Sequence, residues 1–431
     1  MQEKSHCFYY GWVIVAVSFF TMFISIGTRY SFGVFYVAIL GEYGWGRAET
    51  AGAFSLAMVN HALFAPVTGT LIDRFGPRAL FPLGATFLVI GLVTASRITA
   101  IWHLYLFFGA IVAIGINTLS VTSHMALIPK WFIRKRGLAS GLVLAGVGVG
   151  TMVLAPLIQF MIDSIGWRGA FLMLAGIVLA VIVPMTALLH RRSPEEVGQY
   201  PDGIIPGSVT TLPSEPTESC NDIRFPTFVE EGRLGRTLCT AAFWWMALLH
   251  FSVGFLVNML VVHQAAYVVD AGYSTMLAAS LVGFVGLFGS AGGILCGFIS
   301  DRVGREIAYT LGASAALVGV LFFLFVRDTA SPWMLYVFVV LYGLGSGSLG
   351  PVSIAAVGDL FPVNLLGRIL GTHTVGFGFG GALAAYVGGY FYDRMGSYTL
   401  PFLMLLVSIG VGVLGIWMAT IQKRKKALSQ S

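Results

Sequence analysis

Taken as hydrophobic and polar positions, the chain alternates a dozen long apolar runs with short polar breaks. Apolar runs beyond about 18 residues with few or no charges predict membrane-spanning helices. A helix is required because a lipid-facing backbone must satisfy its own hydrogen bonds. The runs place spans near 10–37, 50–72, 79–98, 102–128, 137–162, 168–190, 241–268, 275–299, 307–326, 332–358, 367–391 and 398–421. Trp45, Trp102, Trp167 and Trp333 fall near span ends, at the headgroup level that aromatic rings prefer. One long polar segment interrupts the pattern, from about Arg191 to Arg236, rich in Pro, Ser, Thr and charge. Within it Ser193-Pro194-Glu195-Glu196 could cap a short helical turn, and Phe225 to Cys239 could form an interfacial helix.

The polar breaks are not all alike. Gly69-Thr70-Leu71-Ile72-Asp73-Arg74-Phe75-Gly76-Pro77-Arg78 returns as Gly297-Phe298-Ile299-Ser300-Asp301-Arg302-Val303-Gly304-Arg305, offset by 228 residues. The same offset sets Gly148 and Gly150 on Gly376 and Gly378, and His373 on Ala145. An internal repeat of this size predicts two copies of one unit. The expected fold is an all-α polytopic membrane protein, with twelve transmembrane helices in two pseudo-symmetric six-helix bundles. Residues 1–190 would form the first bundle, 191–240 a cytoplasmic linker loop and 241–431 the second bundle. Glycines spaced as Gly-x-x-x-Gly (146/150, 343/347, 376/380) let helix backbones approach closely. Two of these runs also read Gly-x-Gly-x-x-Gly, but a dinucleotide site needs a preceding strand, so packing is the better reading.

Composition agrees, with 57% hydrophobic and only 10% charged residues against roughly 25% charged in soluble domains. The first run is too long for a secretory signal and lacks a small-residue cleavage site. The net charge of +6 could suggest nucleic acid, but its distribution explains it otherwise. With a cytoplasmic N-terminus, nineteen Lys/Arg fall in inner loops and tails, five in outer loops (Arg47, Arg97, Arg168, Arg327, Arg394) and one, Arg29, inside a span. That is the positive-inside bias; it puts both termini in the cytoplasm and needs no nucleic acid. The four cysteines (7, 220, 239, 296) have no paired spacing, so neither a disulfide framework nor a metal site is expected.

Twelve spans, a central loop, two related halves and the doubled Gly-x-x-x-Asp-Arg-x-Gly-x-Arg island resemble the major facilitator superfamily over essentially the whole chain. Finer features are similar to its monocarboxylate transporter and oxalate–formate antiporter branch. They are Tyr10-Gly11-Trp12, Phe23-Ile24-Ser25-Ile26-Gly27, the run Lys130-Trp131-Phe132-Ile133-Arg134-Lys135-Arg136-Gly137-Leu138-Ala139-Ser140-Gly141-Leu142, and Tyr200-Pro201-Asp202-Gly203. The chain departs from monocarboxylate transporters in span eight, where they carry an acidic residue and an arginine four positions later, tied to proton and carboxylate binding. Here Ser280 to Ser300 holds no charged residue. The resemblance also implies a gating role for Asp73, Arg74, Arg78, Asp301, Arg302 and Arg305. Carboxylates near helix ends beside arginines can latch neighbouring helices. The plainer reading is a solvated turn whose arginines set topology.

Arg29 is the only Asp, Glu, Lys or Arg in the interior of any predicted span. Tyr10 to Leu40 would be about 46 Å long as helix, against a hydrocarbon core of about 30 Å. Arg29 then lies roughly 6 Å past the midpoint. A charge there costs at least about 2.5–3.5 kcal/mol on insertion scales, so it should face a wet cavity or a partner. Snorkelling outward is the alternative, and it runs against the tilt of helix side chains toward the N-terminus. With no intramembrane carboxylate to pair with it, Arg29 is the expected anion-binding residue. Asn117 and Asn258 are buried amides that need partners, either substrate or neighbouring helices. Tyr30, Tyr267, Tyr386, Phe377 and His373 complete the expected substrate-binding set. Five histidines fall within spans (61, 124, 250, 263, 373), and each could titrate near physiological pH. His373, His250 and His61 are the candidates for a proton-carrying role, though a lone histidine is more often a packing residue. No two share ligand spacing, so no metal is expected.

These residues point to a secondary active transporter moving a small organic anion, by resemblance a monocarboxylate, through alternating access in the cell (inner) membrane. It is expected to work as a monomer, with the lipid bilayer and the anion as partners, a co-transported proton as an open question, and no cofactor. An anion exchanger or uniporter for another small metabolite, without proton coupling, remains an alternative. A transporter-like receptor is a second, though the short tails leave it little room for a signalling segment. No His-Glu-x-x-His, Gly-x-Ser-x-Gly or phosphate-binding loop occurs, which argues against an intramembrane enzyme or an ATP-driven pump.

Overall fold

Each long apolar run folds as helix, and the polar breaks turn the chain back. The computed structural model describes residues 9–203, 234–362 and 365–428, apart from the side chains at 66, 69, 73, 234, 236 and 423–428. Span one is Gly11–Tyr30 continued by Phe32–Tyr43, span two Arg47–Phe75 and span three Pro77–Ala95. Span four is Ile101–Trp131, built from several helical pieces. Spans five and six share the stretch Arg136–Leu189, which turns at Gly166 (φ 74°, ψ 162°). The second bundle follows as Ala241–Asp270, Thr275–Val303, Arg305–Leu324, Trp333–Leu360, Leu366–Met395 and Thr399–Leu428, spans seven to twelve. An even number of crossings returns the chain to the side it left. We call the side bearing both chain ends the terminal face and the other the far face.

The repeated island makes the same turn twice. Gly76 and Gly304 link spans two to three and eight to nine with φ of 76° and 94°, a region that residues with a Cβ avoid. Pro77 then opens span three, where its missing N–H costs nothing. Thr240 and Ser274 cap spans seven and eight by accepting from the backbone N–H of Phe243 and Leu277, as N-cap hydroxyls do.

The two bundles meet along span two against span eleven and span five against span eight. Spans two and eleven fall short of the apolarity that marks the other helices as membrane-crossing by composition alone; packed on each other, they can keep polar positions out of lipid. At the crossings the backbones nearly touch. A Cβ on Gly378 would sit 2.7 Å from Ala62 Cβ and 2.8 Å from the Met58 carbonyl oxygen, and one on Gly148 2.1 Å from Ser290 Oγ and 2.6 Å from the Gly286 carbonyl oxygen. Met58 and Ala62 lie 228 residues before Gly286 and Ser290, so the two crossings are images of one another. Gly148 and Gly378 are 230 apart, however. The same offset recurs where Gly146 and Gly150 meet Phe19 and Phe23, and Gly376 and Gly380 meet Ala247 and Phe251. The single offset of 228 read from sequence is therefore corrected. The later half carries two extra residues before span eleven, and His373 is equivalent to Val143, not Ala145.

The start of the linker is docked on the first bundle. Pro194–Val197 makes one turn of 3-10 helix, as Ser193-Pro194-Glu195-Glu196 suggested. Asp202 accepts from the backbone N–H groups of Ile133 (3.0 Å) and Arg134 (2.7 Å), and Gln199 accepts from Tyr10 N–H. Tyr9 donates its phenol to the Trp131 carbonyl, and burial pushes that phenol up to about 12, so it stays a donor at physiological pH. The first half of the expected helix at 225–239 lies outside the described residues, and Leu234–Leu238 is helical.

These contacts predict that Gly148→Val and Gly378→Val each lower the thermal midpoint in detergent, by an overpacking cost of about 1–3 kcal/mol. Gly141→Ala, where nothing lies within 4 Å, should leave the midpoint unchanged or raise it slightly. Equal midpoints for all three variants would contradict a backbone-limited interface.

Candidate substrate site

Arg29 stands two residues before a break in span one. The helix stops at Tyr30 and restarts at Phe32, with Ser31 at φ −83°, ψ 3°. Thr21, Ser25, Thr28 and Ser31 each donate a hydroxyl to the carbonyl four residues back, a pattern that bends helices. Asn117 likewise stands two residues before Leu119, where span four breaks and restarts at Val121. The Ser25 hydroxyl donates to the freed Leu119 carbonyl at 3.4 Å, which ties the break in span four to span one about 9 Å before the break at Ser31. Discontinuous helices are tolerated in a bilayer where they line a cavity, and they commonly mark the binding site of a transporter.

Both residues line one narrow internal pocket, walled by Phe54, Ala57 and Met58 of span two and Phe108, Val112 and Ile116 of span four. The Arg29 guanidinium is buried. Its Nη2 donates to the Met58 sulfur at 3.0 Å, while Nε has no partner. A thioether is a weak acceptor, so the charge is only lightly compensated. Asn117 accepts from His61 Nδ1 at 2.8 Å, which fixes its amide and leaves Nδ2 as a second buried donor without a partner. The pocket thus offers donors in excess of acceptors, one formal positive charge and no carboxylate in its walls. His61 also meets Phe377 of span eleven edge-on, ring centres 6.5 Å apart, which links the pocket to the second bundle.

The other expected residues divide. Tyr30, beside Arg29, is half buried. Asn258 donates to the Gly254 carbonyl of its own helix, its amide nitrogen lies against Gly381, and its oxygen has no partner. Tyr267 and Tyr386 are not brought to the pocket. Tyr267 donates to the Val326 carbonyl within a cluster of Phe323, Tyr398 and Phe402, and Tyr386 is 46% exposed and stacked on Tyr390. Their positions along the helices place them toward the far face, beyond the level of Arg29. His373 stacks on His250 (ring centres 4.7 Å) between Phe243 and Phe361, with neither nitrogen partnered. That pair belongs to the second bundle and is separate from the Arg29 pocket. Among the described residues no group of three or more His, Cys, Asp or Glu could hold a metal ion.

The repeated island is built into one bundle where its side chains are described. Arg305 pairs with Asp301 (2.6 Å) and with Asp359 at the end of span ten (2.9 Å). Arg74, Arg78 and Arg302 are exposed; the Asp73 side chain lies outside the described residues.

Sequence reading missed a cluster on the far face. Arg47, the first residue of span two, makes a bidentate pair with Asp270, the last residue of span seven, at 2.7 and 2.8 Å. Its Nη1 also donates to the Tyr398 hydroxyl, and its guanidinium lies 3.6 Å over the Tyr392 ring centre. Asp393 near the end of span eleven accepts from the backbone N–H groups of Arg47 and Ala48 at 2.9 and 2.8 Å. One sequence signal was available. Asp270 and Asp393 sit at helix C-termini and Arg47 at a helix N-terminus, each at the end of its own helix that disfavours its charge.

The Major Facilitator Superfamily family model matches residues 18–347 and 294–431. Similar proteins include monocarboxylate transporter 13 of Rattus norvegicus, 29% identical over 93% of this chain and 88% of its own length. Monocarboxylate transporter 11 of Homo sapiens is 28% identical over 92% and 80%, and monocarboxylate transporter 6 of Mus musculus 27% over 96% and 88%. Among solved structures, a bacterial homologue of the human lysosomal transporter Spinster, inward-facing and occupied, superposes with a TM-score of 0.72 at 15% identity, covering 96% of this chain and 97% of that one. A nucleoside transporter mutant gives 0.73 at 12%, over 95% and 99%.

Asn117→Leu should strand the His61 donor and cost about 1–3 kcal/mol, whereas replacing both partners by apolar groups is close to neutral. The double variant Asn117→Leu/His61→Leu is therefore expected to recover most of the lost thermal midpoint while remaining inactive in transport. A double variant that is both stable and active would make the pair a packing feature.

Proposed function

The chain belongs to the Major Facilitator Superfamily, and on that premise we propose that it carries a small organic anion across the membrane by alternating access around the Arg29 pocket. It is a multi-pass membrane transporter and not an enzyme. The observation that supports the anion is the pair of buried, unpartnered donors, Arg29 Nε and Asn117 Nδ2, in a pocket without an acidic wall. A carboxylate can take two parallel hydrogen bonds from a guanidinium, and it would replace the weak Met58 acceptor with a charged one. The names of the relatives favour a monocarboxylate, and the apolar walls suit an anion with a single charge and an apolar body. The bundles would rock about the glycine crossings, exposing the pocket to one face and then the other.

The expected measurement is direct. Arg29→Gln should weaken binding of the best monocarboxylate by about tenfold to a hundredfold, the loss of a charged hydrogen bond of about 1.5–3 kcal/mol. Arg29→Lys should recover part of that, since an ammonium cannot form the bidentate pair. Unchanged affinity in Arg29→Gln would place the site elsewhere. Uptake into liposomes by the parent separates a carrier from a receptor.

We read the terminal face as cytoplasmic, from the nineteen-to-five division of Lys and Arg. Exposed Cys239 should then resist an impermeant thiol reagent added outside intact cells, and rapid labelling would reverse the orientation. The buried His250–His373 stack supports a proton-coupled form of the cycle, with anion exchange or uniport as the alternative. Internal acidification during uptake that disappears in His373→Gln is the expected sign of coupling. Uptake by the parent without any internal pH change would assign exchange or uniport.

A further inference from the structure

Six contacts made by two adjacent residues of the first bundle gather three span ends of the second. The Arg47 guanidinium takes Asp270 from span seven through two bonds, Tyr398 from span twelve and the Tyr392 ring from span eleven. The backbone N–H groups of Arg47 and Ala48 take the two oxygens of Asp393. Asp393 thus acts as the N-terminal cap of span two, supplied from the other bundle; Gly46, which stands at the cap position, has no side chain to do so. The approach is close because span eleven has glycine at 389, where a Cβ would fall 2.5 Å from the Ala48 nitrogen. The buried line continues inward, as the Tyr398 hydroxyl donates to His263 Nδ1 and His263 Nε2 donates to the Ala385 carbonyl.

The arrangement makes sense only across the interface. A cation at a helix N-terminus and carboxylates at helix C-termini each oppose their own helix dipole. Joined, Arg47 neutralises the C-terminal end of span seven, and Asp393 satisfies the N-terminal end of span two. Separated, all three span ends keep an unfavourable charge or lose their cap. The second ion pair on this face has no such character, because Arg168 and Glu42 (2.6 Å) both belong to the first bundle. The Arg47 pair is also half-buried, with side-chain exposures of 17% and 32%, so water can replace its bonds when the bundles part.

We infer that Arg47, with Asp270 and Asp393, is the latch that holds the far face shut, positioning the bundles for opening at the terminal face. It sets the balance between the two open forms and touches no substrate. It stands independently of the anion reading, because a failure at Arg29 would leave it intact.

The test uses the full chain, with its native cysteines replaced, in membranes where the far face meets the reagent. Ser55→Cys is the reporter, since the Ser55 hydroxyl donates to the Ala382 carbonyl across the interface, about 12 Å along span two from Arg47. Labelling by an impermeant maleimide should be slow in the parent latch. It should be at least several-fold faster with Arg47→Gln or Asp270→Asn, intermediate with Arg47→Lys, and unchanged with the control Arg168→Gln. Asp393→Asn, which keeps one acceptor oxygen, provides a milder variant should Arg47→Gln fail to fold. Equal labelling in Arg47→Gln, Asp270→Asn and the parent, or an equal acceleration in Arg168→Gln, would overturn the latch.

Discussion

The two bundles are limited by how closely backbones can approach, and most of the architecture follows from that. A Cβ on Gly148 of span five would collide with span eight, one on Gly378 of span eleven with span two, and one on Gly33 of span one with the Val261 carbonyl of span seven. Backbone contact thus limits the interface, and its first two crossings are related by the internal repeat. Apolar side chains give little drive for helix association in lipid, where the surroundings are as apolar as the interface. Close backbone packing replaces it. Glycine-lined crossings of this kind would suit the proposed rocking of the bundles.

Within that frame the buried Arg29 is the proposed centre of the chemistry. Arg29 is held by the thioether of Met58, from the helix that crosses span eleven at Gly378. An incoming carboxylate would therefore compete with a residue of the interface helix, which ties occupancy of the pocket to the packing between bundles. The same donor excess would make the empty pocket unfavourable to close. His61 contributes by orienting Asn117, a positioning role that does not require it to titrate.

The charges on the two faces are used differently. On the terminal face, the Arg305 bonds to Asp301 and Asp359 brace the second bundle, so the doubled island stiffens a turn as well as carrying positive charge. On the far face the bonds of Arg47 run between bundles. The repeat signals the first arrangement and is silent on the second, because residue 275, the image of Arg47, is a threonine.

Apolar run length, the doubled island and the glycine spacing were enough to determine twelve helices in two related halves, since each is a local property and lipid leaves the backbone no alternative to helix. Arg29 was also legible, because a lone charge in an apolar run is conspicuous in one dimension. Its surroundings were not. The breaks at Ser31 and Leu119 carry no proline, and nothing in the spacing announces that Met58, His61 and Asn117 converge on Arg29, as that depends on how spans one, two and four rotate against one another. Their level along the helices keeps Tyr267 and Tyr386 away from that pocket, and a two-residue drift between the repeats moved His373 off its assumed counterpart. The Arg47 cluster lay furthest from sequence reading. Arg47 is separated from its partners by more than 220 residues along the chain, and each charge looks like an ordinary loop charge until the bundles bring an unfavourable helix end on one side against its complement on the other.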